Sequence, residues 1–509
     1  MKYFKLYITI LLITLVGCSD DFLDRTSLND LGSDNFWSNE ADAEMALMGI
    51  YSALQNPYLF DSDPYTGGVT RLDYLTDDGY TAWQWMAGAP IAIGQHNATS
   101  WLIGDFWTAN YRVISRANRV IARVPEIPGI DEEIANRIVA EAKVLRATSY
   151  NLLGMTYQDV PLITEPQAVE EADVPKSDRS EIYAFITQDL EAIIDDLPNP
   201  ADIAPSEFGR IDKGAALAML SRIYLYNDQF SEAAARAKDV IDLGYYSLAP
   251  DYDALFSVAN ENSNEVVFRV AFDRIIDEGS SFAAYWGYID YQRALPDLAE
   301  AFYTIEGEPI EESSLYNPEI PSENRDPRFS ATLLSNGDTW KGEPVTIDED
   351  YYFQRKYTEE ENNEDHFNSP QDFYVIRFAD VLLMRAEALV QSGAYDESEV
   401  IELINQVRDR VDMPGVEETA GIGLSQEELM EVIKHERRVE LAFEGLRYFD
   451  LVRWEELDDV YQEYMDSEYQ RLLDLGYPDV RPRSFISYKW PIPQGEIDVN
   501  ENLNQHNEW

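Results

Sequence analysis

The sequence predicts a mostly helical chain: a scaffold of about four helix pairs, with long irregular loops and a few short strands between them. Three observations predict it. Apolar residues recur at helical spacing in paired blocks, one helix–break–helix pattern returns late in the chain, and long aperiodic segments separate the blocks. The first pair spans 40–55 and 105–124, and the second 131–157 and 181–197. Within 131–157 the stripe Ile134, Ile138, Ala142, Leu145 and Leu152 follows Asp131-Glu132-Glu133, acidic residues that suit the positive end of a helix. In the third pair Ala216, Leu220, Ile223 and Tyr224 share a face, Asn227-Asp228 breaks the pattern, and Ala233, Ala237, Val240 and Ile241 follow until Gly244. In the fourth pair, over 374–411, Phe378, Leu382, Ala386 and Leu389 lead through Ser392-Gly393 to Val400, Ile404, Val407 and Val411. Phe230 and Tyr395 hold equivalent places at the start of the second helix of their pairs. This is close to a tetratricopeptide unit, in which neither helix buries its face alone and stacking supplies the core. An unrelated helical bundle is the alternative.

The loops fall at about 56–104, 247–373 and 455–509, and Glu265–Val270 within them is strand-prone. Segments this long carry function or small elements of their own.

Composition narrows the ligand. With 39 Lys+Arg against 95 Asp+Glu the formal net charge is −56, a field that repels phosphate backbones, anionic lipid surfaces and polyanionic polymers. A neutral ligand is the default, and nucleic acid is excluded.

Cys18 is the single cysteine, so the chain has no internal disulfide and no cysteine-based metal site. Lys2 and Lys5, the run Leu6–Val16 and the sequence Leu15-Val16-Gly17-Cys18 form a secretory leader over 1–17, too short to span a bilayer. Leu-x-Gly-Cys resembles the bacterial lipobox, which makes Cys18 the expected lipidation site and first residue of a mature region 18–509. An ordinary leader with a chance cysteine is the alternative. The protein would then be held to the membrane by its lipid alone.

No sharp catalytic motif occurs. His96, His366, His435 and His506 are scattered, and no P-loop, G-x-S-x-G or dinucleotide fingerprint is present. We therefore expect no enzyme, no cofactor and no metal. Aromatic residues in the loops say more. Trp83, Trp85 and Trp101 lie in 56–104; Tyr285, Trp286, Tyr288 and Tyr291 cluster in "AAYWGYIDYQ"; Trp340 stands in "NGDTWKG". An exposed ring offers an apolar face to the C–H side of a sugar while nearby polar groups bond its hydroxyls, so Trp83, Trp85, Trp101, Tyr285, Trp286, Tyr288 and Trp340 are the candidate glycan contacts. Sealing loops onto the scaffold is the competing role for each ring. In 434–454, Arg437, Arg438, Arg447 and Arg453 alternate with Glu436, Glu440, Glu444 and Asp450. Helical pairs such as Arg437 with Glu440 would compensate these charges, a structural role.

These residues resemble a known family. "CSDDFLD" (18–24), "NFWSNEADAEMALMGIYSAL" (35–54), "NYRVISRANRVI" (110–121), "AEAKVLRATSYNLLGMTYQDVPLITEP" (140–166), "HERRVELAFEGLRYFDLVRW" (435–454) and "WPIPQGEIDVNENLNQHNEW" (490–509) look like SusD/RagB-type outer-membrane lipoproteins of Bacteroidota. The tail departs from the family's frequent Asn-Pro-Gly-Tyr-like ending. The resemblance implies a non-catalytic surface protein that binds a neutral polysaccharide or oligosaccharide and serves a TonB-dependent, SusC-like transporter. It implies ligand contacts from the loop before Asn110-Tyr111 and from the segments around 283–291 and 340. Ser19, Asp20 and Asp21 resemble the surface-export signal of such lipoproteins, which places the chain on the outer face of the outer membrane. A β-1,3-glucan or an α-glucan is the expected ligand. A peptide- or protein-binding scaffold and a secreted glycosidase are the alternatives.

Overall fold

The computed structural model describes residues 36–509 except 64, 84, 87, 169–170, 283–291, 341, 348–350, 359–366 and 478. Cys18 and the leader therefore lie outside the described residues, as do Tyr285, Trp286 and Tyr288.

Helix α1 (Glu40–Leu54) starts at Asn39, whose side chain accepts the Asp42 N–H while the Asp42 carboxylate accepts the Asn39 N–H, a reciprocal cap. Then come α2 (Trp101–Arg123), α3 (Glu132–Thr156), α4 (Arg179–Glu191), α5 (Lys213–Tyr226) and α6 (Phe230–Asp242). After a long irregular stretch follow α7 (Phe378–Ser392), α8 (Glu397–Asp409), α9 (Gln426–Leu441) and α10 (Arg447–Arg453). Each of α1 to α6 packs on the next, α7 closes on both α5 and α6, and α8 and α9 both pack on α7. The paired scaffold predicted from periodicity is present. From Ala140 onward most of α3 is buried on every side, because α1, α2, α4 and α5 all surround it. The α3–α4 approach is close enough that a β-carbon on Gly154 would fall 2.6 Å from the Tyr183 ring.

Three sequence boundaries are corrected. Helix α2 begins at Trp101, so Trp101 opens a helix and does not sit in the preceding loop. Residues 374–377 are strand: the run Phe373-Tyr374-Val375-Ile376 is aromatic and β-branched, and it finds a partner strand before the helical stripe takes over at Phe378. The segment 455–509 is less irregular than its composition suggests, with helical turns at Leu457–Glu463, Tyr464–Glu468 and Tyr469–Asp474.

The strands used below are β1 (Gly79–Thr81), β2 (Val266–Val270), β3 (Gln292–Ala294), β4 (Thr339–Trp340), β5 (Glu343–Pro344) and β6 (Phe373–Arg377). The described residues form five two-stranded antiparallel ladders, among them β1–β3, β2–β6 and the hairpin β4–β5. Strand β2 falls where the sequence showed a strand-prone stretch.

Apolar burial is divided between a large core, which the helices share, and a small one under the loops. The small core contains Tyr80, Met86, Leu295, Leu334, Trp340, Phe353 and Leu472. Beside the large core runs a charged one. Arg377 reaches Glu265 at 2.8 Å, Glu440 at 2.5 Å and Glu444 at 2.8 Å; Arg410 reaches Glu440 at 2.6 Å; Arg328 reaches Glu436 at 2.6 Å and Glu440 at 3.0 Å. Arg437 joins Asp380 and Asp450 at 2.9 Å each, and Arg453 joins Glu387 and Asp450. The structural role expected of 434–454 holds, but the expected Arg437–Glu440 pairing is replaced by partners from other elements. Residues this deeply buried meet neighbouring chain segments on every side, so tertiary partners replace the helical ones. Burial raises the Glu440 carboxyl, but Arg410, Arg377 and Arg328 together outweigh it and hold the group well below the ordinary range.

Candidate functional site

Strand β1 ends two residues before Trp83, and β3 begins one residue after the cluster 283–291. In the β1–β3 ladder Thr81 faces Gln292 and Gly79 faces Ala294. This antiparallel register places the exit of β1 beside the entry of β3. The loop of Trp83 and Trp85 thus leaves the ladder end at which β3 begins, about 200 residues later in the chain. Phe282, just before the second cluster, is anchored by stacking on Phe373 (6.0 Å) and Tyr357 (5.1 Å).

Trp83 and Trp85 are 41% and 56% exposed, with ring centres 5.2 Å apart. Tyr65 lies nearly parallel to Trp85 at 6.0 Å and to Phe367 at 6.1 Å. The result is a row of rings, Phe367–Tyr65–Trp85, turned at its end by Trp83. Tyr65 is positioned by Asp63, whose carboxylate accepts the N–H groups of Tyr65 (2.7 Å) and Thr66 (3.2 Å), and by packing on the small core. The polar groups of this loop are largely buried and hold it in place. Arg71 donates to the Ser62 carbonyl and the Gln292 side chain, tying the first loop to β3. Asp61 accepts from the Ser281 N–H at 2.8 Å and the Ser281 hydroxyl at 3.2 Å. Burial, reinforced by the nearby Asp63 charge, pushes the Asp61 carboxyl up to about 7.

The other candidates divide. Trp101, 39% exposed, makes an edge-to-face pair with Tyr58 at 6.2 Å. Burial of the Tyr58 hydroxyl, together with Asp105 beside it, raises that group well above its ordinary value. Trp340 is corrected: it is only 6% exposed, packs in the small core with Tyr80 and Met86, and lies 5.6 Å from the Arg355 guanidinium. A ring so covered offers little face to a ligand. It lines the wall of a cleft of about 430 Å³, whose lining also includes Asp253, Phe256, Arg355 and Gln371.

Tyr65, Phe367 and Tyr58 were missed by sequence reasoning. Each is an isolated aromatic in a loop, and only the fold shows which isolated rings meet. Among the described residues no group of three or more His, Cys, Asp or Glu side chains is arranged to hold a metal ion.

The fold and these rings define a helical-repeat scaffold that displays an aromatic platform on its loops. Two family models match the chain: "SusD family" over 259–509, and "Starch-binding associating with outer membrane" over 21–225. The chain belongs to the SusD/RagB family. It is 25% identical to SusD-like protein P25 of Formosa agariphila, over 99% of this chain and 98% of that protein. Among solved structures it is similar to a SusD-like carbohydrate-binding protein from Bacteroides fragilis, with a TM-score of 0.81, 27% identity, and coverage of 92% of this chain and 100% of the other. It is also similar to a laminarin-binding SusD-like protein, with a TM-score of 0.72, 27% identity, and coverage of 93% and 100%.

Proposed function

We propose that this chain is a non-catalytic surface protein that captures a neutral polysaccharide or its oligosaccharides and passes them to a TonB-dependent, SusC-like transporter. The observation that carries the reading is the row of rings ending in the exposed Trp85 and Trp83. The exposed Trp85 and Trp83 at the end of the row would offer ring surface to the apolar face of a sugar. Tyr285, Trp286 and Tyr288, which precede β3 in the chain, would extend the platform, and Trp101 would flank it. The −56 net charge favours a neutral polymer. The likeness to a laminarin-binding protein supports a β-1,3-glucan, and the starch-binding family description supports an α-glucan. The anchor would be acylated Cys18, with Asp20 and Asp21 directing export to the cell surface.

Affinity electrophoresis and calorimetry with laminarin, starch and alginate test the reading. Trp83→Ala and Trp85→Ala should each cost about 2 kcal/mol of binding to a neutral glucan while the fold is kept. Undiminished affinity in both variants would refute the platform, and preference for alginate would refute the charge argument. Capture of denatured protein in place of any glycan would favour the peptide-binding alternative. The anchor has its own test. A Cys18→Ala variant should lose acyl labelling and leave the membrane fraction, and unchanged labelling would disprove it.

A further inference from the structure

Away from the aromatic platform, three helices end around one cavity of about 290 Å³. Helices α3, α5 and α10 finish at Thr156, Tyr226 and Arg453, and the turns after them place Gln158, Asp228 and Glu455 in its wall. All three turn residues hold a left-handed backbone, at φ of 65°, 58° and 58°. Such non-glycine positions are uncommon, and three of them line one cavity.

The chemistry of the wall is mixed in sign. Arg179 donates to the Tyr226 carbonyl at 2.5 Å, yet its buried Nε has no hydrogen-bond partner among the described residues. Lys489 reaches Asp159 only at 3.4 Å. Asp228, Glu455 and Glu508 bring carboxylates to the exposed side. Tyr226 is buried in the wall. Phe485 and Tyr488, a ring pair at 4.7 Å, also line it, as does Arg453, whose guanidinium is held by Glu387 and Asp450.

An anion would meet the three carboxylates, and a cation would meet Arg179 and Lys489. A neutral polyol meets neither penalty: its hydroxyls donate to carboxylates and accept from guanidinium and ammonium groups, while a ring supports its apolar face. The volume lies at the small end of ligand pockets, which suits a short sugar and not a long chain. We propose that this cavity is a second carbohydrate site, separate from the platform, that takes a neutral mono- or disaccharide unit. The proposal rests on the glycan-binding reading above and adds a site to it.

The test uses the mature chain with glucose, laminaribiose and maltose as probes, followed by calorimetry and ligand-observed NMR, with laminarin binding measured in parallel. Tyr488→Ala should weaken binding of the preferred short probe at least tenfold and leave the Trp83-dependent laminarin or starch binding unchanged. Asp228→Asn keeps a residue that tolerates the left-handed turn and removes one carboxylate, so it guards against a folding artefact; it should weaken the same probe at least threefold. A crystal soaked with the probe should show sugar between Tyr488 and Arg179. The proposal is overturned if no short probe binds while platform-dependent glucan binding persists, or if short-probe binding is lost in Trp83→Ala and unchanged in both Tyr488→Ala and Asp228→Asn. Loss of all glycan binding by the unaltered chain would overturn the proposed function as well.

Discussion

Arg377 shows how much a single side chain carries in this fold. Its guanidinium meets Glu265, Glu440 and Glu444 in a fully buried setting, where a planar fork of donors can satisfy several carboxylates at once. Arg377→Met would leave carboxylates buried with too little compensation, and we expect it to cost about 3–5 kcal/mol in denaturant unfolding, the usual penalty for removing one partner of a buried network. Asp61 acts in the opposite direction. Its folded-state pKa of about 7 lies above the unfolded value of about 3.9, so the folded state keeps a proton that the unfolded chain releases, and stability is lost as pH rises between the two. Asp61→Asn retains an oxygen to accept from Ser281 but cannot ionise. Thermal midpoints of the variant should therefore fall less than those of the unaltered protein from pH 5 to pH 8, and parallel curves would argue against an ionising Asp61.

At the scale of elements, α9 is fixed at both ends by different means. Ser425 caps its N-terminus by accepting the Glu428 N–H, and the Glu428 carboxylate returns to the Ser425 N–H at 2.8 Å. Ser425→Ala should cost about 1 kcal/mol, measured by chemical denaturation. Beyond its C-terminus Gly445 holds φ of 73°, donates to Asp73, and would place a β-carbon 2.5 Å from the Val69 carbonyl. That contact docks the buried turn Val69–Leu75, which leads into β1 and thus to the platform. Gly445→Ala should lower stability and glucan affinity together. The charged face of α9 also ties stability to acid pH. Burial raises the Glu436 carboxyl, but Arg328 and Arg408 overcome it and hold the group at about 2. The stability it contributes is complete above the unfolded value of about 4.3 and is lost as the pH falls towards about 2, so unfolding should steepen across that window.

For the whole molecule, the internal arginines and carboxylates largely neutralise one another, so the excess of 95 acidic over 39 basic residues is carried mostly at the surface. Its field is screened over about 8 Å at physiological salt. Affinity for a neutral glucan should stay nearly constant from low to high salt, whereas any residual alginate binding should appear only as salt rises. A steep loss of glucan binding with added salt would point to a charged contact that the platform does not contain.

The amino-acid sequence by itself determined the helical pairs, because the period of Ile138, Ala142 and Leu145 or of Leu382, Ala386 and Leu389 is a local property that survives any arrangement of the rest. It also pointed to a neutral ligand, since net charge needs no coordinates, and it singled out Trp83 and Trp85 as loop rings, which the structure leaves exposed. It could not distinguish Trp340, which the β4–β5 hairpin turns into the small core, from the exposed tryptophans, because loop composition carries no signal of burial. Nor could it join Tyr65, Trp85 and Phe367, or pair Arg377 with Glu440. Those contacts bridge tens to hundreds of residues, and only the packing of helices and the register of β1 against β3 brings their partners together.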